Sequence, residues 1–159
     1  MLRRLMLVAF GVYILFDVAW GESASTYKQP IADVRARLVT LEAPPLVLGS
    51  TTRFKLGQSD AQSVVWIVED GGKEGMRFIA RLTPAGADAT EVKIDVSGPT
   101  SGAFGDVQRR LSEHRSIRHI YIVAMKEQVA ATLGDRMYNW AVVAPIMAFA
   151  VIANLGQVF

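Results

Sequence analysis

The last 23 residues of the chain, 137–159, contain no charged side chain. A run of that length and composition meets the usual requirement for a helix that crosses a bilayer. Tyr138 and Trp140 stand at its start, where amphipathic rings favour the lipid–water interface. Pro145 lies inside it and loosens or kinks any helix built there. The other end repeats the theme. Residues 5–20 read LMLVAFGVYILFDVAW, with Asp17 their lone charge and Arg3 and Arg4 before them. Sixteen helical residues cover about 24 Å, against roughly 30 Å of hydrocarbon. The segment therefore reads as a short anchor, or as a signal peptide cut after Ala19-Trp20-Gly21, or as a buried helix. The expected layout is 1–20 as anchor or signal, 21–136 as a domain, and 137–159 as a transmembrane helix. The two N-terminal arginines favour a cytoplasmic start, which places the domain on the outer, periplasmic side of a bacterial inner membrane; Lys126 and Arg136 pull the other way.

Between the ends lies a stretch of single-domain size. Residues 22–26 are polar and read as a linker. Pro30 opens a helix, along which Ile31, Val34, Leu38 and Leu41 form one apolar stripe. Glu42-Ala43-Pro44-Pro45 ends it. Thr52, Phe54 and Leu56 then alternate with Arg53 and Lys55. Residues 63–68, SVVWIV, are apolar on both faces, and Asp70-Gly71-Gly72-Lys73 is a turn. Met76, Phe78, Ala80 and Leu82 form one face of the next strand, and EVKIDV at 91–96 alternates without a fault. Helices are expected at 103–113 and 117–133, the second with Ile117, Ile120, Tyr121, Ala124, Gln128 and Ala131 inward, and Gly134 as its stop. The fold class is α+β: an antiparallel meander of about four strands packed on a long C-terminal helix, flanked by membrane helices. Strands do not alternate with helices, which excludes a parallel nucleotide-binding sheet.

That order resembles the helix-grip fold of the START and polyketide-cyclase-like superfamily. The residues that carry the resemblance are VVWIVED, MRFIARLTPAGADATEVKIDV and IRHIYIVAMKEQVAATL, within 27–133. The resemblance implies a curved sheet around the last helix and a pocket for a hydrophobic ligand. Fewer strands are legible than the family uses, and hydrophobic ends are unusual for it.

Chemistry is sparse. His114 and His119 are five residues apart, about 140° around a helix, and there is no cysteine, so no metal site or cofactor is implied. No Gly-x-Ser-x-Gly elbow and no phosphate loop is present. Glu69, Asp70 and Glu74 cluster at a turn, as solvated acids do. With 17 Lys and Arg against 15 Asp and Glu, nucleic acid is not an expected partner. Phe54, Trp66, Phe78 and Tyr121, all expected inward, line either plain core or a ligand pocket, with Gln128 as its polar group. Arg115, Arg118 and His119 share a helix face that could attract anionic headgroups. The expected function is a membrane-anchored, non-enzymatic domain that binds a lipid or other hydrophobic small molecule. The alternative is an accessory subunit that meets other membrane proteins through its terminal helices. A cyclase-like enzyme is a third reading that no residue marks.

Overall fold

The strongest local instruction in the chain is Asp70-Gly71-Gly72-Lys73. A two-residue hairpin loop whose twist matches its strands needs positive φ at both central positions, which glycine adopts at no steric cost. Gly71 and Gly72 have φ of 56° and 78°, and Asp70 pairs with Lys73 across them. This loop joins β3 (Ser63–Asp70) to β4 (Lys73–Pro84). In the computed structural model, which describes residues 23–45, 52–98 and 115–155, the hairpin is the middle of a five-stranded antiparallel sheet. The other strands are β1 (Ser25–Tyr27), β2 (Thr52–Leu56) and β5 (Thr90–Ser97). Their order is β1-β5-β4-β3-β2.

One face of the sheet is apolar and covered. Val64, Trp66 and Val68 of β3, Phe78, Ala80 and Leu82 of β4, and Val92, Ile94 and Val96 of β5 are all buried. Two helices lie over them, α1 (Ile31–Leu38) and α2 (Arg115–Leu133). α1 contributes Val34 and Leu38; α2 contributes Ile122, Met125, Val129 and Leu133. The residues of β3 that point away, Val65 and Ile67, are only half-buried. β3 is therefore covered on one side, where its apolar sequence suggests two.

Three local expectations change. Ser25 and Thr26, expected in a linker, are strand together with Tyr27: the three pair with Val92, Glu91 and Thr90. Pro30 caps α1 rather than opening it, and its carbonyl accepts the N–H groups of Asp33 and Val34. The inward face of α2 is rotated by about one residue from the expected one. Ile122, Met125 and Val129 meet the sheet, while Ile120 and Ala124 face a third helix, α3 (Trp140–Leu155). A helix buried on two sides has no single apolar stripe to read. The helix expected at 103–113 lies outside the described residues, as does the segment 1–20.

The largest correction concerns the charge-free C-terminal run, expected to be one transmembrane helix over 137–159. α2 ends in a Schellman-type corner: the Arg136 N–H reaches the Ala131 carbonyl at 3.0 Å, and Asp135 takes the left-handed conformation with φ 49°. Asn139 then caps the next helix, its Oδ1 accepting the Ala141 N–H at 3.0 Å. α3 therefore has 16 residues and turns back along α2, with Val143 and Ile146 buried against Val123 and Ala124. Sixteen residues rise about 24 Å, short of a bilayer's hydrocarbon. No helix of the described residues is long and apolar enough to cross a membrane. The reading of this chain as a transmembrane protein through its C-terminal helix is overturned.

Candidate functional site

The four aromatic residues singled out from the sequence come together. Phe54 of β2 stacks on Trp66 of β3 (ring centroids 6.4 Å apart), leans on Phe78 of β4 (6.5 Å), and Phe78 meets the edge of Tyr121 on α2 (6.3 Å). The pairing Leu56↔Trp66↔Phe78 puts these three on the helix-facing side. The row runs from a deep end to an open one. Trp66 and Phe78 are buried, Phe54, Met76 and Tyr121 are half-buried, and Leu56 on edge strand β2 is 47% exposed. The indole Nε1–H of Trp66 is sealed from solvent and has no hydrogen-bond acceptor. Such a donor costs about 1–3 kcal/mol relative to a satisfied one. Gln128 is half-buried and lies seven residues along α2 from Tyr121, on the same flank.

The basic set disperses. Arg118 donates to Asp95 Oδ1 of β5 at 2.6 Å, so its charge is spent within the fold. His119 is half-buried. The side chain of Arg115, and His114, lie outside the described residues.

A second polar cluster was not expected as a site. Lys126 and Glu127 are both buried, at the corner where α2 passes into α3. Arg136 grips the Glu127 carboxylate with both terminal nitrogens, and the Asn139 N–H adds a third bond at 2.8 Å. The pairing holds the Arg136 guanidinium above its ordinary pKa, chiefly through that hydrogen bond. Tyr138 packs nearby with its hydroxyl buried and unpaired. Burial first, and the Glu127 charge second, push it up to about 12. Tyr27 is raised as well, mainly by burial. The Lys126 Nζ donates to the Ser23 carbonyl at 3.0 Å, and burial lowers its pKa. The one signal in the sequence was that Lys126 and Glu127 interrupt an apolar stretch. The carboxylate accepts three N–H groups and has little capacity left for a substrate proton. This cluster fastens the corner.

Beside it lies an open depression of about 550 Å³ lined by Arg37, Thr40, Thr132, Asp135, Arg136 and Met137. Arg37 bonds to Asp135 and to the carbonyls of Thr132 and Leu133, where a cation complements the end of a helix. Gln29 adds its Nε2–H to the Leu133 carbonyl at 2.9 Å. Both guanidinium groups are thus held by the chain itself. Among the described residues, no three or more His, Cys, Asp or Glu side chains gather to hold a metal ion.

No family model, curated protein or solved structure matches the chain.

Proposed function

We propose that the domain binds a hydrophobic small molecule, without chemistry, at the β2 end of the sheet–helix layer. The observation that carries the reading is the Trp66 Nε1–H. It is a buried donor with no acceptor, set among aromatic rings whose outer members are half-exposed. An apolar molecule with one carbonyl or ether oxygen would cover Phe54, Leu56 and Met76 and, by parting the half-exposed rings that seal the indole, supply that acceptor. Apolar walls with few placed polar groups are the usual make-up of small-molecule sites. The resemblance to the helix-grip superfamily supports the same place, since the face of the sheet that carries the aromatic row is the one α2 lies over.

The test is native mass spectrometry of the purified full chain, released gently. The expected result is a discrete added mass of a few hundred daltons on a 17.4 kDa chain. Trp66→Phe keeps an aromatic ring, though a smaller one, and removes the donor. It should hold the same adduct roughly 5–30-fold more weakly, the equivalent of about 1–2 kcal/mol for the hydrogen bond. A bare wild-type chain, or an adduct indifferent to Trp66→Phe, sinks the reading.

A second reading, a domain that docks on another polypeptide, is favoured by one observation. α3 is apolar on every side but buries only one. Trp140 is 48% exposed, and Ala141, Ala144, Pro145 and Ala148 are exposed too.

A further inference from the structure

The face of the sheet turned away from the helices is rich in charge. Side chains alternate between faces along a strand, so the neighbours of the buried residues in β3, β4 and β5 point outward. Most of that charge is settled within the fold. Lys55 pairs with Glu69, Arg77 with Glu74 and Arg118 with Asp95. Arg53 stands in register with Glu69.

Directly opposed residues of an antiparallel pair hold their Cβ atoms about 4.5–5.5 Å apart, and like charges in that position repel. The outward face carries both signs of this conflict. Glu69 opposes Glu74, and Lys55 and Arg77 neutralise the two acids. Arg81 opposes Lys93, and both are exposed. Among the described residues, neither of these two side chains makes an ion pair or a hydrogen bond. The acids around them are engaged elsewhere or set apart. Asp95 holds Arg118, and Asp60 accepts the Gln62 N–H. Glu91 opposes Thr83, one outward position along β5 from Lys93 and about 7 Å away. On the other side of Arg81 the next outward row is apolar: Ile79 opposes Val65, and both are half-buried.

We propose that Arg81 and Lys93 bind a phosphate group, carried on a molecule whose remainder is apolar and lies over Ile79 and Val65. The guanidinium fork of Arg81 matches two phosphate oxygens, and the Lys93 ammonium serves as a point charge for another. A phosphate between them turns one repulsion into two attractions. The site is on the opposite face of the sheet from Trp66 and stands or falls independently of the ligand proposed there. Soluble phosphate esters and lipid headgroups both carry this group.

Amide NMR of the full chain, titrated with phenyl phosphate against sodium chloride of equal ionic strength, tests the site. The expected result is a saturable shift at Val65, Ile79, Arg81 and Lys93 that chloride does not produce, with inorganic phosphate binding more weakly. Arg81→Gln should weaken phenyl phosphate by roughly tenfold or more, as loss of a charge-assisted contact does. Shifts that chloride reproduces, shifts spread evenly over the surface cations, or binding unchanged in Arg81→Gln would overturn the proposal. So would inorganic phosphate binding as well as the phenyl ester. Lys93→Glu is a second variant, which gives Arg81 a partner in register. Its thermal midpoint in phosphate-free buffer should rise and its response to phenyl phosphate should vanish; a lower midpoint or a retained response counts against the site. Vesicles containing phosphatidic acid separate the two sources. Co-sedimentation that Arg81→Gln abolishes assigns the phosphate to a lipid headgroup, and its absence assigns it to a soluble ester.

Discussion

Arg136→Ala should destabilise the protein far more than its position at the surface suggests. The guanidinium is 43% exposed, but the carboxylate it grips is 4% exposed. Truncation removes two of the three N–H groups on Glu127 and leaves the Asn139 N–H at 2.8 Å. Breaking a fully buried pair costs about 3–5 kcal/mol, because a charge is stranded. An exposed pair is worth about 0.2–1 kcal/mol. With one partner in each regime, and a third bond surviving, the expected loss is about 2 kcal/mol. Urea unfolding followed by circular dichroism reads it directly. At a slope of about 2 kcal/mol per molar urea, the midpoint falls by about 1 M. The decisive control is Glu127→Gln in the same background. It retains an oxygen for the Asn139 N–H and removes the stranded charge, so the double variant should be more stable than Arg136→Ala alone. A midpoint shift under about 0.2 M, or a double variant no better than the single, would refute the reasoning.

Three further outcomes are expected. Thr90 is fully buried, and its Oγ1 donates to the Gln29 carbonyl at 2.8 Å. Thr90→Val keeps the shape and strands that carbonyl, costing about 1–2 kcal/mol, or roughly 2–8 °C in a thermal melt. Gly134→Ala should destabilise by about 1–3 kcal/mol in the same melt, because its Cβ would stand 2.9 Å from the Ala130 carbonyl oxygen. At an unstrained site the same change would stabilise. In alkali, Tyr138 stays neutral in the folded protein to about 12, whereas its unfolded value is 10.0. Its stabilising contribution is complete below pH 10 and is lost as pH rises through about 12. Tyr27, also raised, acts in the same direction. Tyr138→Phe should flatten that loss in urea midpoints taken across the window. Lys126, lowered by burial, has the opposite sign: stability rises as pH climbs toward its unfolded value of 10.5.

How much of this was legible depended on whether the controlling interaction was local. The β3–β4 hairpin is written in two adjacent glycines, and β5 in strict alternation, so both could be read directly. β1 could not, because Ser25, Thr26 and Tyr27 become a strand only by pairing with Val92, Glu91 and Thr90. α3 was misread because counting apolar residues registers neither a cap nor a neighbour. Asn139 starts the helix two residues after the charge-free run begins, and Val123 covers one side of it. Phe54, Trp66 and Phe78 were found by strand alternation and Tyr121 by helical spacing, and they do meet, but the orphan indole N–H is a matter of three-dimensional surroundings. Arg118 looked like part of a cationic face because Asp95, its partner, is 23 residues away. Glu127 and Arg136 were missed for a similar reason: nine residues apart, they meet only because the helix ends between them.

The bond between Lys126 and Ser23 spans 103 residues. On a ribosome adding about 5–20 residues per second, roughly 5–20 s separate the two partners. The first strand and whatever precedes it emerge long before β5 and α2 exist to receive them. For that interval Ser25, Thr26 and Tyr27 have no strand to pair with, because Val92, Glu91 and Thr90 are still to be made. The order of the sheet thus sets a race during synthesis. The N-terminal strand is made first and placed last, held open until β5 and then Lys126 of α2 arrive to receive it.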